Sequence, residues 1–204
     1  MDTKFTIFLV DDDAGVLKAL SRLLRARGYE VRPFESPQEF LTHHDATIAG
    51  CAVLDVSMPG LDGLALQRAL STAGSQRPVI FITGKGDIPT SVSAMKAGAI
   101  DFLTKPVRDR DLLDAIARAE RDDEKSRRMR VELESIQAKV VTLTPREREV
   151  LTHVVAGRLN KQIAGELGTV EKTIKVHRSR MMEKLGVRTV ADLVRMAGKA
   201  GISD

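Results

Sequence analysis

Residues 5–28 read FTIFLVDDDAGVLKALSRLLRARG. The apolar run Phe5–Val10 has the length of a buried strand, and it stops on three consecutive acids, Asp11, Asp12 and Asp13. Val16, Leu17, Leu20, Leu23 and Leu24 then recur at helical spacing until Gly28 ends the pattern. The segment is therefore a strand, an acidic turn and a helix. Crowded carboxylates repel one another, and partial burial raises the penalty. Asp13 has a use of its own, because a carboxylate just before Ala14 caps free helix N–H groups at the positive end of the dipole. The other two acids, Asp11 and Asp12, are left crowded at the end of the strand.

The strand–helix unit repeats. Residues 29–34, 51–56, 78–83 and 100–105 are further short apolar runs, and helical patterns occupy 36–43, 62–72, 87–97 and the stretch from about Asp109. Five strands alternating with five helices predict an α/β domain whose parallel sheet is covered on both faces. Functional groups in such sheets gather beyond the carboxyl ends of the strands. Strand one ends at Asp11–Asp13, strand three at Asp55 within LDVSMPGLDG, strand four at Thr83 within FITGKGD, and strand five at Lys105 before Pro106. Carboxylates gathered at one edge suit a hard divalent cation such as Mg²⁺, and a lysine and a hydroxyl beside them suit a phosphoryl group.

In this order and spacing, residues 5–117 resemble the receiver domain of two-component response regulators, a five-stranded flavodoxin-like fold. The resemblance implies that Asp55 is the phosphoacceptor, attacking a phosphohistidine of a sensor histidine kinase. It implies that Asp11, Asp12, Asp55 and the Ser57 carbonyl hold Mg²⁺, and that Thr83 and Lys105 contact the phosphoryl oxygens. It also implies a cis Lys105–Pro106 peptide and a switch carried by Thr83 and Phe102, Phe102 standing where many members have Tyr. The stretch DIPTSVSAMKAGAIDFLTKP (residues 87–106) is similar to the FixJ-type subgroup, whose members use this region to dimerise.

After residue 118 the composition changes. RAERDDEKSRRMRVELESIQAKV (118–140) is strongly charged and contains no Gly or Pro. Met129, Leu133, Ile136, Val140 and Leu143 form a short heptad-spaced stripe, which either lies on one of the chain's own domains or pairs between chains. The remainder predicts four helices near 145–156, 160–167, 170–184 and 189–199. Thr144, Pro145 and Glu147 form a capping box, and Asn160 and Thr169 are candidate caps for the next two helices.

Residues 143–204 carry 12 basic against 7 acidic side chains, a net of +5, whereas residues 1–117 carry 13 against 15, a net of −2. Any polyanion is therefore expected at the C-terminal third. In VEKTIKVHRSRMMEKLG (170–186), Ile174, Met181 and Leu185 face inward while Lys172, Lys175, Val176, Ser179 and Arg180 face out, the arrangement of a helix read into a DNA major groove. Residues 143–200 resemble the LuxR-type helix-turn-helix. That resemblance implies DNA contacts from Lys161, Lys172, Thr173, Lys175, Val176, Arg178, Ser179 and Arg180. The implied organisation is a receiver domain over 1–120, a helical linker over 121–142 and a DNA-binding domain over 143–204.

Composition narrows the alternatives. There is no Trp and one Tyr, leaving few aromatic platforms for stacked bases or flavins. The single cysteine, Cys51, excludes an internal disulfide and a Cys-rich zinc site, which fits a reducing, cytoplasmic setting. No apolar run approaches the roughly 18 residues that span a bilayer, and the N-terminal residues lack the pattern of a signal peptide. The reading that follows is not an enzyme but a transcription regulator: phosphorylated on Asp55, it dimerises, binds promoter DNA and works with RNA polymerase. An aspartyl-phosphate phosphatase would place its nucleophile after strand one instead, and a phospho-dependent adaptor would bind protein rather than DNA.

Overall fold

A computed structural model of the chain describes residues 4–84 and 86–202. The chain divides into two compact units, Met1–Arg127 and Arg128–Asp204. The first alternates strands and helices: β1 (Thr6–Val10), α1 (Ala14–Ala26), β2 (Glu30–Phe34), α2 (Pro37–His43), β3 (Gly50–Asp55), α3 (Gly63–Thr72), β4 (Val79–Thr83), α4 (Ile88–Lys96), β5 (Asp101–Thr104) and α5, which starts at Asp109 and runs to Val141. All strand pairs are parallel and the order is β2-β1-β3-β4-β5, the flavodoxin-like arrangement.

Alternation along each strand builds two cores. Phe8, Val10, Ala52, Leu54 and Phe81 point to the face that also buries Phe40, Leu66, Leu70 and Ala94 of α2, α3 and α4. Ile7, Leu9, Cys51, Val53, Ile80 and Ile82 point to the other, with Leu17 and Leu24 of α1 and Leu112, Ala115, Ile116 and Ala119 of α5. Pro33 sits in β2, at the sheet's edge, where one side of the strand needs no ladder donor. The Asp13 carboxylate accepts from the Gly15 and Val16 N–H groups at the start of α1, as its position before Ala14 predicts. Gly63, the first residue of α3, lies so close to β3 that a Cβ there would meet the Asp55 carbonyl oxygen at 2.3 Å.

The amino ends of the strands carry a buried cation. Arg77 donates Nε to His44 Nε2 at 3.1 Å and Nη2 to the Asp45 carbonyl at 2.7 Å, and its guanidinium lies 4.1 Å from the Phe8 ring centroid. Burial pulls its pKa down to about 10. Arg127 donates to the Thr47 carbonyl at 2.7 Å, so two arginines grip the loop between α2 and β3.

The second unit contains the end of α5 and α6 (Pro145–Val155), α7 (Asn160–Glu166), α8 (Glu171–Leu185) and α9 (Val190–Lys199). Its core holds Val150, Leu151, Val154, Ile163, Ile174, Met181, Leu185 and Leu193. Ile136 and Leu143 are buried in the same core and Val140 packs against it, whereas Met129 is 61% exposed. The C-terminal half of the heptad stripe thus serves its own domain. Thr144 and Glu147 form the capping box, with the Thr144 N–H donating to Glu147 Oε2 at 2.9 Å and the Glu147 N–H to Thr144 Oγ1 at 3.3 Å. Two predicted caps are displaced by one residue. Leu159 and Val170, not Asn160 and Thr169, hold the cap positions of α7 and α8, and neither makes a side-chain cap bond. At α7 the Gln162 side chain accepts from the Leu159 N–H instead. Gly186 closes α8 in the left-handed conformation that a residue with a Cβ disfavours. Among the described residues no helix is long and apolar enough to cross a membrane.

Candidate functional site

The strand order reverses direction between β1 and β3, so a crevice opens beyond their carboxyl ends. Register places Val10 beside Leu54, which brings Asp11 level with Asp55. Both carboxylates are buried. Lys105, one residue beyond β5, reaches across: its Nζ is 2.7 Å from Asp11 Oδ2 and 2.7 Å from Asp55 Oδ1. The other oxygen of each carboxylate is held by backbone. The Asp13 N–H donates to Asp11 Oδ1 at 3.0 Å, and the Ser57 N–H to Asp55 Oδ2 at 2.6 Å. Asp55 Oδ1 thus meets the ammonium while its partner oxygen is fixed by the chain that follows it.

Burial pushes the Asp11 carboxyl up from the ordinary carboxylate range, and the Lys105 and Asp13 bonds only partly oppose this. For Lys105, burial works against the charged form, but the hydrogen bonds to Asp11 and Asp55 outweigh it and raise the ammonium pKa. The crevice therefore holds an ammonium hydrogen-bonded between two buried carboxylates.

The remaining sequence-predicted residues lie around this trio. Thr83 ends β4, fully buried, and its carbonyl accepts from the Lys105 N–H at 2.7 Å. The Lys105–Pro106 peptide is cis. Asp12 and Ser57 are exposed at the rim. Phe102 is half-buried in β5, its ring 6.2 Å from that of Phe81. Among the described residues no three His, Cys, Asp or Glu side chains form a group that could hold a metal by themselves. The donor set is two buried carboxylates, a rim carboxylate and backbone oxygen, all hard ligands. Mg²⁺ commonly takes one or two carboxylates and completes its shell with water and phosphate oxygens, so the residues present fit it.

The second candidate region is the surface of α7 and α8. Ile174, Met181 and Leu185 are buried, and Lys172, Lys175, Val176, Ser179 and Arg180 are exposed on the rest of α8. Lys161 is exposed in the first turn of α7, and Thr173 is half-buried. Arg178 differs from its neighbours: its Nη1 donates to Asn160 Oδ1 at 2.9 Å, linking α8 to the first residue of α7. Lys175 Nζ lies 3.0 Å from Glu171 Oε1, one turn earlier. Neither Asn160 nor Glu171 stands out in the sequence as part of the surface. The E-x-x-x-K spacing of Glu171 and Lys175 is the signal that could have found the second pair.

Comparison with known proteins accords with both regions. Residues 7–117 match the response regulator receiver domain, and residues 141–197 match the luxR family of bacterial regulatory proteins. Nodulation protein W of Bradyrhizobium diazoefficiens is 44% identical over 201 residues, covering 98% of this chain and 88% of that protein. The transcriptional regulatory protein FixJ of the same organism is 40% identical over 202 residues, covering 99% and 98%. The solved structure of the response regulator StyR superposes with a TM-score of 0.83 at 45% identity, covering 96% of this chain and 99% of that one. A receiver domain implies a histidine kinase as partner, and a luxR-family domain implies DNA. The chain belongs to the two-component response regulators that join a receiver domain to a LuxR-type DNA-binding domain.

Proposed function

We propose that Asp55 is the phosphoacceptor of this regulator. A carboxylate oxygen of Asp55 attacks the phosphorus of a phosphohistidine on the sensor kinase. The P–N bond breaks, a P–O bond forms, and the freed imidazole keeps the electron pair of the broken bond. A carboxylate is a weak nucleophile and phosphoryl transfer is loose, so the protein contributes mainly position and charge. The backbone bond from Ser57 fixes Asp55, while Lys105 exchanges its ion pair with Oδ1 for the incoming phosphoryl oxygens. The Thr83 hydroxyl makes a second contact. Asp11, Asp12, Asp55 and the Ser57 carbonyl would hold Mg²⁺, which when bound supplies positive charge against the transferring oxygens.

Thr83 and Phe102 carry the change outward, and the phosphorylated chain forms a homodimer. Its two C-terminal domains bind paired half-sites in promoter DNA and engage RNA polymerase, in the cytoplasm. Residues 1–120 serve as the phosphoacceptor domain, 121–142 as the link and 143–204 as the DNA-binding domain. Lys161, Lys172, Thr173, Lys175, Val176, Ser179 and Arg180 face the DNA, with Arg178 acting there beside Asn160.

The observation that carries this reading is the convergence of two buried carboxylates on one ammonium at the point where the strand order reverses. Its test is labelling by a small-molecule phosphodonor. Asp55→Asn is expected to abolish incorporation while leaving the circular dichroism spectrum unchanged, and label persisting on another residue would overturn the assignment.

A further inference from the structure

Most acids of the second unit with ion pairs are matched to bases that hold the fold or the surface together. Glu147 pairs with Lys184, Glu149 with Arg146, Glu166 with His153 and Arg158, and Asp192 with Arg195. Glu171 is placed differently. It is the first residue of α8, and its partner Lys175, one turn later, is a candidate DNA contact. Residues 171, 172, 175, 176 and 179 are all exposed, at the spacing that lays them along one side of the helix. Residues near the amino end of a recognition helix are the ones that meet base edges.

A carboxylate on this surface is unfavourable against phosphates at every DNA sequence. It is compensated only where it meets a donor, and the donor that a major groove offers to an acceptor-only side chain is an exocyclic amino group, characteristically N4 of cytosine. The ion pair adds a second effect. In free protein Glu171 occupies Lys175, so Lys175 must leave it to reach a guanine edge or a phosphate. An interaction that penalises wrong partners while permitting the right one is how specificity exceeds raw affinity.

We propose that Glu171 is a specificity-determining residue of the DNA-binding domain: it accepts from the N4 amino group of a cytosine at one position in each half-site and suppresses binding elsewhere. The inference rests on the reading of α8 as the DNA-recognition helix.

The substitution Glu171→Gln keeps the size of the side chain, removes the charge, and supplies an amide that pairs with adenine rather than cytosine. Full-length phosphorylated wild type and E171Q are each used to select from a random-sequence duplex pool, and affinities for the selected site and for unrelated DNA are then measured over a range of salt. Wild type is expected to enrich cytosine at one position per half-site, and E171Q to lose that preference by about tenfold or move it to adenine. On unrelated DNA, E171Q is expected to bind several-fold tighter, with a salt slope steeper by about one. Identical selected sites and identical non-specific affinity for the two proteins would overturn the proposal. If wild type enriches no sequence at all, it is the DNA-binding reading itself that fails. Lys175→Ala, tested beside E171Q, separates the two effects: the cytosine preference is expected to survive it.

Discussion

Lys105 Nζ stands 2.7 Å from Asp55 Oδ1, so the carboxylate proposed to take the phosphoryl group is already paired with the cation that would neutralise it. The same ammonium also meets Asp11, which would otherwise face Asp55 as a second buried negative charge. Lys105→Met removes the charge and keeps the stem. Labelling by a phosphodonor is expected to slow on the order of a hundredfold, the usual scale for losing one preorganised group that neutralises developing negative charge. A rate within twofold of wild type would show that Lys105 serves only to balance the two acids.

Asp12 and Asp13 are adjacent, exposed and chemically alike, yet their surroundings separate them. Asp13 holds the first N–H groups of α1, and Asp12 has no such role. Asp13→Ala is expected to cost about 1 kcal/mol of receiver stability and leave labelling intact. Asp12→Ala is expected to leave the melting curve almost unchanged and to abolish the dependence of labelling on Mg²⁺. Thermal denaturation and a magnesium titration of the labelling rate check the pair.

On α8, Lys175 is exposed and Arg178 is engaged with Asn160. Lys175→Ala is expected to weaken DNA binding and shallow its salt dependence by about one, with unchanged stability. Arg178→Ala is expected to weaken binding and also destabilise the domain by about 1 kcal/mol, because it strips a bond between two helices. Asn160→Ala should reproduce the stability loss, and the double variant should add little to it. Fluorescence anisotropy and thermal shift measure both quantities.

The capping box of α6 carries a pH dependence. The Lys184 hydrogen bond, helped by the Thr144 N–H, holds the Glu147 carboxyl below its ordinary value of 4.5. An acid whose folded pKa is depressed contributes stability that is complete above the unfolded value and is lost as pH falls through the folded one. The protection of α6 amides against hydrogen exchange, taken relative to the intrinsic rate at each pH, is therefore expected to hold at pH 6 and to fall progressively below about 4.5. Glu147→Gln is expected to flatten that dependence and to raise exchange at neutral pH.

Period and punctuation made much of this molecule legible. Five apolar runs marked the strands to within a residue or two, and Asp13 announced its cap because a short acid before Ala14 has little else to do. Asp11, Asp55 and Lys105 could be placed at one edge because parallel strands share a direction. Their mutual geometry could not be read, since Asp11 and Lys105 are 94 positions apart and their contact depends on how far a flexible stem reaches. Asn160 and Thr169 show the limit of local rules: either side chain could cap, but the chain turns one residue away, and Asn160 meets Arg178 instead. Arg77 shows the same limit in the core. A charged residue before a strand looks solvated, and only the fold supplies the carbonyls and the ring that make its burial tolerable.

Gly63 has a consequence beyond packing. A Cβ on Gly63 would stand 2.3 Å from the Asp55 carbonyl oxygen and 3.1 Å from the Phe81 ring. No side chain fits between them without pushing the end of β3 away from α3. Position 63 is therefore a closed door to variation: even alanine would shift the backbone that aims Asp55. A site recognised by its acids and its lysine is calibrated by a residue that has no side chain.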